Sequence, residues 1–213
     1  FSLILEEDSQ LKIINEFKKH ISESEFPTKN VLENILANLY WQYFNQHRYQ
    51  FYNRTKVAKN LNPSSESVND FRTWDLNTLF EEIHTHFQTS LKDRLLLQQE
   101  DLYTFSDILQ VQKGSKTYRP TLFAFLSHNA LEFYKTSETN ITKPAYQFKI
   151  DNTDLLKDAR TFSVLNIESK DSLSLQFNAL KIYQDLIAAN INNKDKRALA
   201  TIDLERLEFV KQH

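Results

Sequence analysis

The chain has 213 residues, with 26 Lys and Arg against 28 Asp and Glu and a formal net charge of −2, a balance that supplies no field to attract nucleic acid or an anionic membrane. It holds one glycine and no cysteine, where a glycine share of roughly 7% would give about fifteen. Sandwiches, dinucleotide-binding folds and phosphate loops need glycine for positive φ or close backbone approach and are nearly excluded; disulfides, thiol nucleophiles and thiolate zinc sites need cysteine and are excluded outright.

Apolar residues recur at spacings of three and four along the chain, so the expectation is all-α: antiparallel helical hairpins in an irregular bundle or solenoid-like array. A first helix is predicted over 3–21, with Leu11, Ile14 and Phe17 inward. Because the helical pattern is already present at residue 3, the chain reads as a fragment of a larger protein. Pro27 and Thr28 restart the chain. The second helix carries Val31, Leu32, Ile35, Leu36, Leu39, Tyr40, Tyr43 and Phe44 as one broad stripe, wide enough to pack on two neighbours. The stretch "NRTKVAKNLNPSSESVND", residues 53–70, reads as a long loop.

Asp75 stands where its carboxylate can accept the backbone N–H of Thr78 and start a third helix, with Leu76, Leu79, Phe80, Ile83 and Phe87 inward. A short helix is predicted over 101–111. Gly114 marks a weak sub-boundary within what is otherwise one helical domain, 1–213. In "TYRPTLFAFLSHNALEFY", residues 117–134, Pro120 and Thr121 read as a helix start and Leu122, Phe125, Leu126, Ala130 and Phe133 as its inward stripe. Residues 145–150 alternate, with Tyr146, Phe148 and Ile150 apolar, and form the one plausible short strand. Helices near 154–162, over 172–189 and up to Lys211 complete the chain. No apolar run is long enough to cross a membrane.

The chemistry-bearing residues are sparse. His84 and His86 lie two apart, about 200° around a helix, and cannot share a metal; Glu82 and His86 share a face, but two ligands do not make a site. His128 sits beside Asn129 with no nucleophile elbow anywhere in the sequence. No catalytic, cofactor-binding or metal residue is assigned, and a non-enzymatic role is expected. Aromatics crowd "YWQYFNQHRYQFY", residues 40–52, where Tyr40, Trp41, Tyr49 and Tyr52 cannot all face one core at 3.6 residues per turn. These four are the candidate partner surface. Arg54, Arg72, Arg119 and Arg206 are expected to bond helix-end carbonyls or pair with acids such as Asp70, Asp75 or Asp203.

Several segments together resemble a known arrangement. "RPTLFAFLSHNALEFY" (119–134) is similar to an R-P-T-L-Y-D-F-L-A-H-R-A-L-like stretch in large alpha-2-macroglobulin-like proteins of Bacteroidetes bacteria. "ILANLYWQYF", "NRT" (53–55), "DFRTWD" (70–75), "TKPAYQF" and "DLERLEFV" (203–210) follow in the order of that family's N-terminal helical region. The family pattern has an acid three residues after the Thr, completing a capping box; Ala124 stands there, so Thr121 would cap alone. The thioester of complete macroglobulins needs a cysteine that is absent. The resemblance implies a helical scaffold or interaction module in a periplasmic or cell-surface protein that inhibits or entraps proteases. Arg54, Trp74, Asp75, Arg119, Pro120, Thr121 and Arg206 would be its structural motif residues, and other domains of the same chain or proteases its partners. An independent helical-repeat adaptor for peptide or protein partners is the alternative.

Overall fold

The computed structural model describes residues 7–53, 70–107, 109, 114–138 and 141–213. Within these the regular structure is helical throughout, with no strand. Most of the predicted loop, Arg54 included, lies outside the described residues. Two compact units form: Phe1–Lys92 with Glu138–Thr142, and Asp93–Ser137 with Lys143–His213. Gly114 lies within the second of these units. Gly114 has φ 87 at the N-cap of a short helix, a backbone geometry open to glycine at little cost.

The first unit is built on α1 (Glu7–Glu23), α2 (Thr28–Asn53) and α3 (Leu76–Ser90). Contacts pair Asn34 with Ser90, Glu33 with His86 and Phe44 with Phe80; the sequence runs in opposite directions, so α2 and α3 are antiparallel. Phe71 leads a 3-10 turn, Phe71–Thr73, and inserts its ring against Tyr40 and Tyr43 at 5.4 and 4.8 Å. The buried stripe of α2 is rotated from the predicted one. Leu36, Ala37, Tyr40 and Phe44 are fully enclosed, together with the polar Asn30, Glu33 and Asn34, whereas Leu32, Ile35 and Leu39 are half-buried. At His47 the helix leaves regular geometry (φ −117, ψ 19). There Nδ1 lies 2.9 Å from the Tyr43 carbonyl and the two rings stack at 4.2 Å, so a side chain competes for the carbonyl one turn back, a recognised cause of kinking.

The second unit contains α4 (Arg94–Leu97), α5 (Ser115–Tyr118), α6 (Leu122–Tyr134), α7 (Ala159–Ser163), α8 (Leu175–Asn190) and α9 (Arg197–Gln212). Helix α8 is central and packs on α6, α7 and α9. The helix starts are written in the sequence: Thr121, Asp158 and Ser174 each accept a backbone N–H from the first turn. Two predicted elements differ. Of the helix expected over 101–111, the described residues form a 3-10 turn at Leu102–Phe105 after the Asp101 cap, residues 108, 110 and 111 lying outside them. The 154–162 helix divides into a 3-10 turn, Thr153–Leu156, and α7. Residues 145–150 form no strand. A lone alternating segment has no ladder to join, and the Phe148 N–H turns to the Asp171 carboxylate at 3.4 Å while its ring meets Phe177 at 5.5 Å.

Candidate functional site

Spacings of three and four keep Glu33, Ala37, Tyr40 and Phe44 on one face of α2, the face turned to α3. The Glu33 carboxylate meets Nδ1 of His86. On the other side of the ring, Nε2 lies 3.3 Å from Oε1 of Glu82, one turn back on α3. That oxygen also accepts from the Lys18 ammonium of α1 at 3.1 Å, so Glu33, His86, Glu82 and Lys18 form one charged chain across three helices. Its wall is aromatic. Tyr40 stacks on His86 at 5.9 Å and meets Trp74 at 5.7 Å, and Lys18 Nζ lies 5.5 Å from the Trp74 ring and 5.8 Å from Tyr40.

Carboxylates on both ring nitrogens set the charge. Neutral imidazole has one N–H and one lone pair and satisfies one carboxylate; the cation donates to both. Burial works against the charged ring, but the hydrogen bonds to Glu33 and Glu82 outweigh it and the His86 pKa is raised. Glu82 is held down at about 2, chiefly by its bond from His86 and further by Lys18. Burial and then the Glu82 charge push the Tyr40 phenol up, so Tyr40 stays neutral. His84 has its pKa lowered by burial. With a carboxylate on each ring nitrogen, His86 ties α2 to α3 electrostatically. Among the described residues no cluster of three or more His, Asp or Glu is arranged to hold a metal.

The i, i+4 relation of Glu82 and His86 is legible in the sequence, but Glu33 and Lys18 are not picked out there. The signal for Glu33 is its register: a carboxylate in phase with Ala37, Tyr40 and Phe44. Nothing local marks Lys18, whose partner is 64 residues away.

The proposed aromatic surface divides. Tyr40 is 0% exposed and belongs to the core; its place on the inward stripe of α2 holds, and its place in the aromatic surface is corrected. Trp41 is half-buried against Phe44 and Phe80 at 5.4 and 6.0 Å. Beyond the His47 kink, Tyr49 is 82% exposed. Tyr52, in edge contact with it at 6.4 Å, is half-buried and donates to the buried Glu138 carboxylate at 2.5 Å.

The motif residues divide likewise. Trp74 packs on Tyr40 and Phe71. Asp75 accepts the Thr78 N–H at 2.9 Å, as its position predicts. Asp75→Ala is expected to lower stability by about 0.5–2 kcal/mol in urea denaturation; an unchanged midpoint would remove the cap from the account. Thr121 caps Ala124 at 3.3 Å without an acid partner. Pro120 is half-buried beside it. Arg119 is exposed, and among the described residues its side chain makes no hydrogen bond or ion pair, so the expected anchor is not formed. Arg72 instead forms a fork on Asp70, at 2.7 Å for Nη2. Arg206 is fully buried, donating to the Leu155 and Lys157 carbonyls at 2.5 and 3.0 Å and to Asp203 from Nε at 3.1 Å. His128 is buried, with Nδ1 2.7 Å from the Ala124 carbonyl, and burial lowers its pKa.

Comparison with protein families, with curated proteins and with solved structures found no match.

Proposed function

We propose that the chain is a non-catalytic helical interaction module, and that its C-terminal α2 segment meets another domain of the same polypeptide. The observation that carries this reading is Tyr49. A tyrosine 82% exposed just beyond the His47 kink, with a second tyrosine against it, is a residue type enriched at protein interfaces. The interior histidines support the non-catalytic part, since His86 is spent on two carboxylates and His128 is bonded to its own helix. The resemblance to the N-terminal helical region of bacterial alpha-2-macroglobulin-like proteins extends the proposal: a periplasmic or cell-surface protease inhibitor or trap, with this module as scaffold.

A photo-crosslinking residue at position 49 of the full-length protein tests this directly. The expected product is an intramolecular crosslink to a downstream domain, well above that from a control at the exposed Val164 (80%). Equal yields at the two positions would overturn the surface assignment. Sandwich domains encoded after residue 213 favour the family reading, and a stop codon there sinks it.

A second reading, an independent peptide-binding adaptor, is favoured by a groove between α1 and α2. Its floor is Ile14, Tyr43 and Phe71, and Gln10, Gln42 and Gln46 stand around it. Glutamine amides can pair with the backbone of an extended peptide. Binding of extended peptides by the isolated chain, lost in Tyr43→Ala with Tyr49 intact, would select that reading over the first.

A further inference from the structure

We infer that His86, Glu33, Glu82 and Lys18 form a proton-dependent clasp that fastens α1 to the α2–α3 pair, closed while the imidazole is cationic and loosened when it loses its proton. The inference rests on the geometry of the ring. Carboxylates face both nitrogens, an arrangement satisfied only by two N–H donors. The charged and titratable groups that face the ring are Lys18 from α1, Glu33 and Tyr40 from α2, and Glu82 from α3 itself. Tyr40 stays neutral throughout, so the balance is two carboxylates against an ammonium and the imidazolium.

The burial of the two acids decides how the clasp opens. The Glu33 side chain is 8% exposed and Glu82 31%. Leaving the buried carboxylate without a donor is the costlier fault. A neutral ring therefore keeps its one N–H on Glu33 and turns a lone pair to Glu82. Glu82 has water to move into, and it draws with it the carboxylate that holds Lys18. Helix α1 then loses its ion pair to α3, and the Lys18 ammonium is freed from the Tyr40 and Trp74 faces.

The direction with pH follows. Because the folded pKa of His86 lies above the ordinary value, its contribution is complete below about pH 6.5 and is lost as pH rises through the folded value. On the acid side Glu82, held at about 2, keeps its contribution until pH falls below its ordinary value toward 2. The clasp is thus tightest between about pH 4.5 and 6.5. His84, with its pKa lowered, tilts the stability of the same unit in the opposite sense, so total stability against pH does not isolate the clasp.

Amide exchange along α1 does isolate it. In the full chain, protection of residues 14–21, corrected for intrinsic exchange, is expected to fall between pH 6 and 9. The fall should be about tenfold for each unit by which the folded His86 pKa exceeds 6.5. His86→Gln should abolish this step, while His20→Gln, on the exposed end of α1, should keep it. Nitrogen-resolved NMR of wild-type His86 guards against a variant that does not fold: both ring nitrogens should be protonated at pH 5.5, with loss of one proton in step with the exchange. A ring already neutral at pH 6, or an α1 step that survives His86→Gln, would overturn the clasp.

Discussion

Arg206→Ala is expected to destabilise the second unit by about 3–5 kcal/mol, the cost of breaking a buried, hydrogen-bonded charge. The side chain is 0% exposed and all three of its nitrogens donate: Nη1 to the Leu155 carbonyl, Nη2 to Lys157 and Asp203, and Nε to Asp203. Its guanidinium also lies over Phe162 at 4.5 Å, a contact favourable in itself. The carbonyls belong to the Thr153–Leu156 turn and to Lys157, which ends it, so one residue of α9 satisfies the connection that leads into α7. Alanine removes every donor at once and leaves a void beneath Phe162. Lysine restores the charge but not the planar fork, and Arg206→Lys should recover less than half the loss. Methionine fills the volume yet leaves the carbonyls unpaired, each costing about 1–3 kcal/mol. The readout must be far-UV dichroism in urea, because both tryptophans, Trp41 and Trp74, lie in the first unit. An alanine variant within about 1 kcal/mol of wild type would show that water can replace the guanidinium.

What could be read from the sequence was set by the range over which each residue acts. Asp75, Thr121 and the Asp203–Arg206 pair act within three positions, and spacing alone identifies them. The scarcity of glycine and the period of the apolar residues likewise forecast a helical chain. Glu33 escapes a sequence reading for a physical reason. The stripe of α2 was assigned by counting apolar side chains, which favours Leu32, Ile35 and Leu39, whereas the true stripe contains Asn30, Glu33 and Asn34, whose partners Ser90 and His86 lie 53 to 60 residues away. Buried polar residues are counted as surface until their partners are known. Tyr40 stands both on the predicted inward stripe and in the aromatic cluster, and only the first placement holds. Arg206 has a local acid at Asp203 and Arg119 has none, but the carbonyl partners of Arg206 come only with the placement of α9 against the Thr153–Leu156 turn.

Helix α6 supplies the second large effect. Phe133→Ala is expected to cost about 3–5 kcal/mol, the range for removing an enclosed aromatic ring; Phe133 is 0% exposed and packs on Tyr134 at 5.1 Å. Phe125, on the predicted inward stripe, is only half-buried, and Phe125→Ala should cost about 1–2 kcal/mol, in proportion to the apolar area it covers. Phe123, off that stripe, is 2% exposed and should behave like Phe133. The misassignment is physical. Of the thirteen residues of α6, ten are buried, so apolar side chains occur nearly all round and no single period picks out a face. Even Ser127 and His128 are enclosed, the histidine tolerated because its Nδ1 is paired within the helix. Dichroism-monitored urea titrations of the three alanine variants, with denaturant slopes held equal, provide the comparison. If Phe125→Ala matched Phe133→Ala while Phe123→Ala was near neutral, α6 would have to be rotated by roughly two residues, about 200°. Its contacts with α8 would then be reassigned.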